Sequence, residues 1–380
     1  MCCAAPRRHD WISTDVLKNL ARHWRWLWSR CPGIGPARVA ALDAVAVSNH
    51  ISLEILWSWP RDRLERHLRW PRSLWNQLDQ YRTHWGPNPI VHVPDDVLLQ
   101  GDCDWPDPLN ALTPPPSCLF HRGDRSLLRC LKARQAIAVI GTRSASAHAL
   151  QMADRLGRAL ALAGWPVLSG LADGIDAAAH RGCLATDGAP VAVLGTHLDR
   201  VYPAHHHALQ SAVGRSGLLL SERHPGDSLR PGHFAARNRL IVALASALVI
   251  VECPEKSGAL ISARYADALQ CPVWVMPADA GRWSARGSNA LLQEKARPLV
   301  SIDAFVQQLG LGPLGGKGRA TSHQPPPMDK ALLQALSEGM TVDMLQQRLG
   351  RPAASLALEL VQLELRGLVV CEPGQRWRAV

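Results

Sequence analysis

The 380-residue chain is 47% apolar and 19% charged, a composition that suits two or three globular domains and excludes a disordered chain. Its net charge of +10 favours a polyanionic partner, although a GC-rich coding bias toward Arg codons explains the excess of Arg over Lys equally well. No stretch nears the roughly 18 apolar residues of a membrane span, no secretory signal is evident, and the ten cysteines lack zinc-ligand spacing, so we expect a cytoplasmic protein without a metal site.

Residues 1–88 predict a helical module rich in Trp and Arg. Interleaved Arg and Trp would suit bases and phosphates, but Trp side chains that fill a small helical core give the same composition, and we favour the core. The segment Cys31–Arg38 resembles the hairpin of a helix-hairpin-helix (SAM-like) module. Such a hairpin contacts DNA phosphate in some proteins and serves protein packing in others, and both readings stay open.

A Rossmann-like domain is predicted for residues 89–310. Its first part, residues 89–135, is Pro-rich and predicted to be irregular. Apolar runs then alternate with stretches of helical length such as Ala147–Ala163 and Ile175–Ala185, the pattern of βαβ units in a doubly wound α/β sheet. The predicted buried strands are residues 136–140, 167–168, 191–194, 218–220, 247–251 and 273–276.

The C-terminal part predicts a linker followed by a small domain. Residues 311–327 are rich in Gly and Pro and have no periodicity, which is typical of a linker. Residues 328–380 predict three helices and a hairpin, the order of a winged-helix domain. Such domains often enter the DNA major groove, but the predicted second helix carries few cations, so a protein partner is equally consistent.

Three strand-to-helix junctions have the residue types of phosphate-binding loops: Ile140–Ser144, Leu168–Asp176 and Val251–Leu260. In an open α/β sheet, ligands bind beyond the carboxyl ends of the strands. Gly lets the backbone approach an anion there, and the N-termini of the following helices attract it. Arg143 and Lys256 would add full charges. Three such loops on one sheet predict a phosphate-binding edge.

Arg237 and Arg239 flank an asparagine and follow an aromatic residue. Arg on phosphates, with the asparagine or the aromatic ring on bases, would suit a single strand. The alternative is a helix start whose arginines form salt bridges to Glu222 or Glu252.

No catalytic residues and no cofactor are expected. Neither a G-x-G-x-x-G fingerprint nor a Walker A sequence is present. The enzyme alternative, a nucleoside-monophosphate phosphoribohydrolase similar to the lysine decarboxylase-like family, requires a P-G-G-x-G-T-x-x-E loop that Cys253–Ile261 does not reproduce. A scaffold without DNA affinity is a third alternative. His180 is expected to fasten a loop and His205–His207 to form a solvated helix start, since no ligand cluster accompanies them in the sequence.

Read together, these segments closely resemble the DNA-processing protein A family (DprA, also called Smf), which takes part in natural transformation. The resemblance spans residues 137 to about 300 and includes the order and spacing of the motifs. The matching segments are Val139–Arg143, Ser169–Ala172, Gly174–Asp176, Ala179–His180, Val201–Pro203, Ser221–Glu222, Phe234, Arg237–Arg239 and Ser257–Leu260.

The resemblance implies an extended Rossmann fold that binds single-stranded DNA, forms a homodimer and loads the RecA recombinase. Ala149, His197, Ala278 and Lys295 stand where the family usually has Gly. The first falls in a predicted helix and is expected to be harmless, while the three in loops bear on affinity rather than on fold. Combined with the loop argument, the candidate DNA-binding residues are Gly141, Thr142, Arg143, Ser169, Gly170, Phe234, Arg237, Asn238, Arg239, Lys256, Ser257 and Gly258.

Overall fold

The structure, a computed structural model, describes residues 14–315, 330–365 and 368–379. The chain divides into two compact units, with the boundary between residues 316 and 317. The first unit contains a helical module and a large sheet, and the second contains three helices and a hairpin. None of the described helices is both long and apolar enough to cross a membrane.

The helical module has a core built largely from Trp. Trp28 is fully buried, and its ring centroid lies 5.1 Å from that of Trp57. The prediction that these rings fill a core is confirmed for the described residues. Trp26 lies outside this core and packs edge-on against Phe120 of the sheet, with 6.0 Å between ring centroids. The helices are α1 (Thr14–Arg30), α2 (Pro36–Ser48), α3 (Leu53–Ser58), α4 (Arg61–His67) and α5 (Arg72–Trp85).

A nine-stranded sheet forms the centre of the first unit. All six strands predicted from apolar runs are confirmed to within about a residue or two at each end. Three further strands, the first, second and ninth, were not predicted. The strands are β1 (Val97–Leu98), β2 (Leu119–Gly123), β3 (Ile137–Ile140), β4 (Val167–Ser169), β5 (Pro190–Leu194), β6 (Leu218–Ser221), β7 (Ala247–Ile250), β8 (Val273–Val275) and β9 (Arg297–Pro298).

The strand order is β1-β2-β6-β5-β4-β3-β7-β8-β9. Strands β3 to β9 are parallel to one another, whereas at one edge β2 pairs antiparallel with β6 and β1 pairs antiparallel with β2. The chain winds outward from β3 to β6 and then returns to β7 on the other side of β3. The predicted doubly wound Rossmann-like fold is therefore confirmed. The reversal of strand order between β3 and β7 marks the place where ligands bind in such sheets.

Helices cover both faces of the sheet. Successive residues of β3 alternate between the two faces, so Ile137 and Val139 contact one core while Ala138 and Ile140 contact the other. This double burial explains the continuous apolar runs in the sequence. The helices of this part are α6 (Leu127–Lys132), α7 (Ala147–Leu162), α8 (Ile175–Leu184), α9 (His207–Ser216), α10 (Pro231–Leu244), α11 (Gly258–Ala268), α12 (Arg286–Leu292) and α13 (Ile302–Leu309).

Two stretches differ from the sequence prediction. Residues 89–135 were expected to be irregular but contain β1, β2 and α6. The strands gain their hydrogen-bond partners by pairing, β1 with β2 and β2 with the distant β6, which no local pattern in the sequence announces. Residues 311–315 of the predicted linker are attached to the end of α7: the amide of Gly312 donates to the carbonyl oxygen of Ala163 at 2.8 Å. Residues 316–327 of that linker lie outside the described residues.

The second unit has the predicted winged-helix order, which is confirmed. Leu336, Leu345, Leu360 and Trp377 share its core. The Thr341 side chain accepts a hydrogen bond from the amide of Met344 and so caps the second of the three helices. The elements are α14 (Lys330–Ser337), α15 (Val342–Leu349), α16 (Ala353–Leu365), β10 (Val369–Glu372) and β11 (Arg376–Ala379).

Candidate nucleic-acid interface

The loop after β3 begins with a glycine that the packing requires. A Cβ atom on Gly141 would lie 2.5 Å from Cγ1 of Ile175 and 2.8 Å from the carbonyl oxygen of Glu252. Both backbone groups of Thr142 are hydrogen-bonded. Its amide donates to the carbonyl oxygen of Glu252 at 2.8 Å, and its carbonyl oxygen accepts from the amide of Ile175 at 3.3 Å. The loop is thus held between the end of β7 and the start of α8, and Arg143 at its tip is exposed.

A buried carboxylate fastens the far end of the same loop. Glu252 is 2% exposed and accepts two hydrogen bonds from Ser146, from its amide at 2.9 Å and its hydroxyl at 2.8 Å. The Ser146 hydroxyl oxygen also accepts from the amide of Ala149 and caps α7. The loop geometry therefore does not depend on a ligand.

Arg237 is buried, contrary to its predicted phosphate contact. It is 4% exposed and donates to the carbonyl oxygens of Gly170, at 2.5 Å, and Val193. Burial lowers the pKa of Arg237 to about 10 despite the nearby carboxylate of Asp176, so the side chain stays charged at neutral pH. Because its Nη1 donates to carbonyl oxygens of both segments, Arg237 joins the ends of β4 and β5 at the base of the interface.

Ser169 and Gly170 support this arrangement from β4. The Ser169 hydroxyl is fully buried and donates to Val139 O at 2.6 Å. A Cβ atom on Gly170 would lie 2.2 Å from Nη1 of Arg237, so only Gly leaves room for the guanidinium. The Gly170 amide donates to Asp176 at 3.1 Å; burial raises the pKa of this carboxyl, and the positive charge of Arg237 opposes that rise. Ser169 therefore lies under the interface, whereas Gly170 lines a small recess beside Phe234.

Arg239 also differs from its prediction. Its Nη2 donates to Oε2 of Glu222 at 2.5 Å, and both side chains are buried. The salt-bridge alternative is correct for this arginine. Asn238 is half-buried between α10 and α11, where its Oδ1 accepts from Arg237 Nε at 3.1 Å and its Nδ2 donates to Gly258 O at 3.4 Å.

Nine of the twelve candidates, the buried Arg237 among them, line an open cleft of about 340 Å³ at the carboxyl ends of β3 and β7. Its exposed charged side chains are Arg143 and Lys256, both cationic, and Lys256 makes no hydrogen bond or ion pair with the described residues. The N-terminus of α11, capped by Ser257, adds partial positive charge at the same edge. The predicted residues that line the cleft are Gly141, Thr142, Arg143, Phe234, Arg237, Asn238, Lys256, Ser257 and Gly258.

An aromatic pair forms one rim of the cleft. The rings of Phe234 and Tyr202 lie 4.7 Å apart, and the guanidinium carbon of Arg143 lies 5.3 Å from the Phe234 ring centroid. A Cβ atom on Gly195 would lie 2.7 Å from Phe234 Cδ1, so this glycine makes room for the ring. Tyr202, which is 38% exposed, was absent from the predicted site, although the segment Val201–Pro203 had been noted as a family match.

His180 does not fasten a loop by hydrogen bonds. Its side chain is fully buried in α8, and neither ring nitrogen has a hydrogen-bond partner among the described residues. Burial, helped by the positive charge of Arg237, lowers the pKa of His180 to about 3. The ring is therefore a neutral part of the core.

This burial predicts a pH dependence that His180→Leu removes. The unfolded chain takes up a proton on this histidine below its ordinary pKa of 6.5, whereas the folded protein does so only near 3, so stability falls with pH between these values. Between pH 7 and 5 the wild type should lose about 2 kcal/mol more than the variant. Urea unfolding at both pH values measures the difference; parallel losses would contradict the burial effect.

Three loop residues, His197, Ala278 and Lys295, stand where the family usually has Gly, and none of them lines the cleft. His197 is buried and packs against Phe120, with 5.0 Å between ring centroids. Lys295 forms an exposed ion pair of 3.0 Å with Asp267, and the Ala278 amide donates to a neighbouring asparagine.

The sheet and the winged helix define a Rossmann-like α/β protein with a ligand cleft at its switch point. Comparison with known families makes the assignment specific: the DNA recombination-mediator protein A family matches residues 96–310, and the DprA winged helix domain matches residues 318–375. The chain belongs to this DNA recombination-mediator family. The predicted resemblance is confirmed.

Individual relatives agree. Protein Smf of Synechocystis is 30% identical over 93% of this chain and 98% of its own length, and protein Smf of Escherichia coli is 28% identical over 83% and 81%. The structure describing the single-stranded DNA binding mode of DNA processing protein A from Helicobacter pylori is 31% identical with a TM-score of 0.50, covering 56% of this chain and 95% of that one. The structure of DNA processing protein A from Streptococcus pneumoniae is 23% identical with a TM-score of 0.59, covering 75% of this chain and 97% of that one, and shows the shared fold.

Proposed function

We propose that this protein binds single-stranded DNA along the carboxyl edge of its sheet and acts as a binding protein, not as an enzyme. The observation that carries the proposal is the joint position of Arg143, Lys256 and the ring of Phe234 at one open cleft. Cations that follow the phosphate chain and aromatic rings that stack on bases are the two components of single-strand recognition. The Helicobacter pylori relative, whose structure describes single-stranded DNA binding, supports the same conclusion.

The geometry favours a single strand over a duplex. The aromatic rings lie at the rim of a cleft between loops, and a base stacks on them only when it leaves its own stack. A duplex keeps its bases stacked and presents only phosphates to Arg143 and Lys256. Its binding should therefore lack the stacking contribution, which is about 1–3 kcal/mol per base.

The finer parts of the proposal come from the family. We include protection of incoming DNA, a homodimer made by the Rossmann-like unit and loading of the RecA recombinase during natural transformation or recombination. Membership in the recombination-mediator family and the similarity to the DNA processing proteins DprA of Bacillus subtilis and Streptococcus pneumoniae support these roles. Light scattering measures the dimer, and the rate of RecA filament growth on pre-bound DNA measures loading.

Fluorescence anisotropy with a labelled poly-dT oligonucleotide and a duplex of equal length tests the central proposal. We expect the single strand to bind at least about tenfold more tightly, a difference of about 1.4 kcal/mol, and its affinity to fall steeply with salt. Equal affinities for the two forms would contradict single-strand recognition. The non-enzymatic role would be contradicted if the purified protein released ribose phosphate from nucleoside monophosphates and a correctly folded variant of it did not.

A further inference from the structure

Two histidines and an aspartate converge beside the interface. Asp173 lies in the loop between β4 and α8, and His205 and His206 lie in the short turn Ala204–His206 before α9. Their nitrogen and oxygen ligand atoms all lie within 4.8 Å of one another. The triple histidine was expected to be a solvated helix start; this is wrong for His206, which is 2% exposed.

The two imidazoles approach the same carboxylate oxygen. Nε2 of His205 lies 2.7 Å from Oδ1 of Asp173, and Nε2 of His206 lies 3.3 Å from that atom. On its other side, Nδ1 of His206 lies 3.1 Å from the carbonyl oxygen of Leu171. A carbonyl accepts only, so Nδ1 carries the proton and donates.

In the neutral form of this tautomer the lone pair of His206 Nε2 is directed toward a carboxylate oxygen 3.3 Å away. Two facing lone pairs repel each other, so the contact becomes favourable when either a proton on Nε2 or a bound metal ion lies between them. Histidines that bind metals almost always donate their second ring nitrogen to a carbonyl or carboxylate, as His206 does to Leu171. The arrangement therefore has the outer hydrogen bond as well as the inner donors of a metal site.

We propose that Asp173, His205 and His206 bind one divalent transition-metal ion, such as Zn²⁺. Two imidazole nitrogens and one carboxylate oxygen suit zinc, nickel or cobalt, whereas magnesium and calcium prefer oxygen ligands alone. The buried His206 anchors the site, while His205 and Asp173 keep 66% and 42% of their side chains exposed. The ion thus retains coordination positions open to solvent or to an anion.

The position of the site gives the ion a consequence for the interface. Asp173 shares a small recess with Gly170, Tyr202 and Phe234 at the rim of the cleft. A bound divalent ion would replace a local negative charge by a positive one at that rim. The metal site itself does not rest on the proposed function, because metal binding is measured without DNA.

Cobalt binding to tag-free, chelator-treated protein tests the proposal. We expect one equivalent of Co²⁺ to give visible absorption bands of a nitrogen- and oxygen-ligated ion, which one equivalent of Zn²⁺ removes by competition. Isothermal titration with Zn²⁺ gives the affinity. His205→Ala and Asp173→Asn change exposed ligands and should each weaken binding at least as much as loss of an outer hydrogen bond, about 10–100-fold.

His207→Ala is the matched control, since this neighbouring histidine is exposed and is not part of the cluster. The control should bind like the wild type, and melting curves of the metal-free variants should coincide with that of the metal-free wild type. Absence of saturable binding, unchanged affinity in His205→Ala, or equal weakening by His207→Ala would overturn the assignment. A cobalt–thiolate spectrum would overturn it as well, because it would place the ion on cysteine.

Discussion

Replacing Arg237 by alanine is expected to destabilise the fold by several kcal/mol, because each buried carbonyl oxygen left without its donor costs about 1–3 kcal/mol. The variant loses the donors to Gly170 and Val193 and leaves Asp176 buried without its neighbouring cation. Urea unfolding monitored by Trp fluorescence measures the free energy of unfolding. A variant with wild-type stability and a reduced salt dependence of DNA binding would instead mean that Arg237 contacts phosphate.

Gly170→Ala provides an independent test of the same packing. The added Cβ would lie 2.2 Å from the guanidinium of Arg237, so this variant should also unfold more easily although no charge is removed. Gly232→Ala is the matched control, because a Cβ there meets no atom within 4 Å. Equal stability of the two glycine variants would contradict the buried position of the guanidinium.

Replacing Phe234 by alanine is expected to weaken single-strand binding by about 1–3 kcal/mol, the contribution of one stacked base, while the salt dependence stays that of the wild type. The half-buried ring contacts Tyr202 and Arg143 at the rim of the cleft. Binding to a duplex should change little. Anisotropy titrations of both DNA forms at several salt concentrations measure the effect.

Two further substitutions separate stacking from apolar burial. Phe234→Tyr keeps the aromatic ring and should retain most of the affinity, whereas Phe234→Leu keeps an apolar side chain without a π-face and should behave like the alanine variant. If leucine binds as well as tyrosine, the ring acts as part of the core and not as a stacking surface.

The strands and the loops could be predicted because their signals are local. Apolar runs marked the strands, and Gly141 with Arg143 directly follows β3. The short edge strands could not be predicted, since Val97–Leu98 is only two residues long and gains its structure from pairing with β2. A strand of this length carries no periodicity of its own.

The burial of the two arginines could not be predicted either. Arg237 and Arg239 look alike in the sequence, as two cations near a helix start. The carbonyl oxygens that accept from Arg237 and the carboxylate that pairs with Arg239 belong to other segments of the chain and meet these arginines only in the folded sheet. The same holds for Asp173, which the fold brings to histidines more than 30 residues away.

The salt dependence of single-strand binding by Arg143→Ala tests the central claim most directly. We expect the slope of log K against log salt to decrease by about 0.7, the contribution of one phosphate contact, with equal weakening for every DNA sequence. Arg129→Ala removes the same charge from an exposed position on α6, ahead of the amino end of β3, and should leave the slope unchanged. If Arg143→Ala folds normally and keeps the wild-type slope, the cleft at the carboxyl edge of the sheet is not where the strand binds.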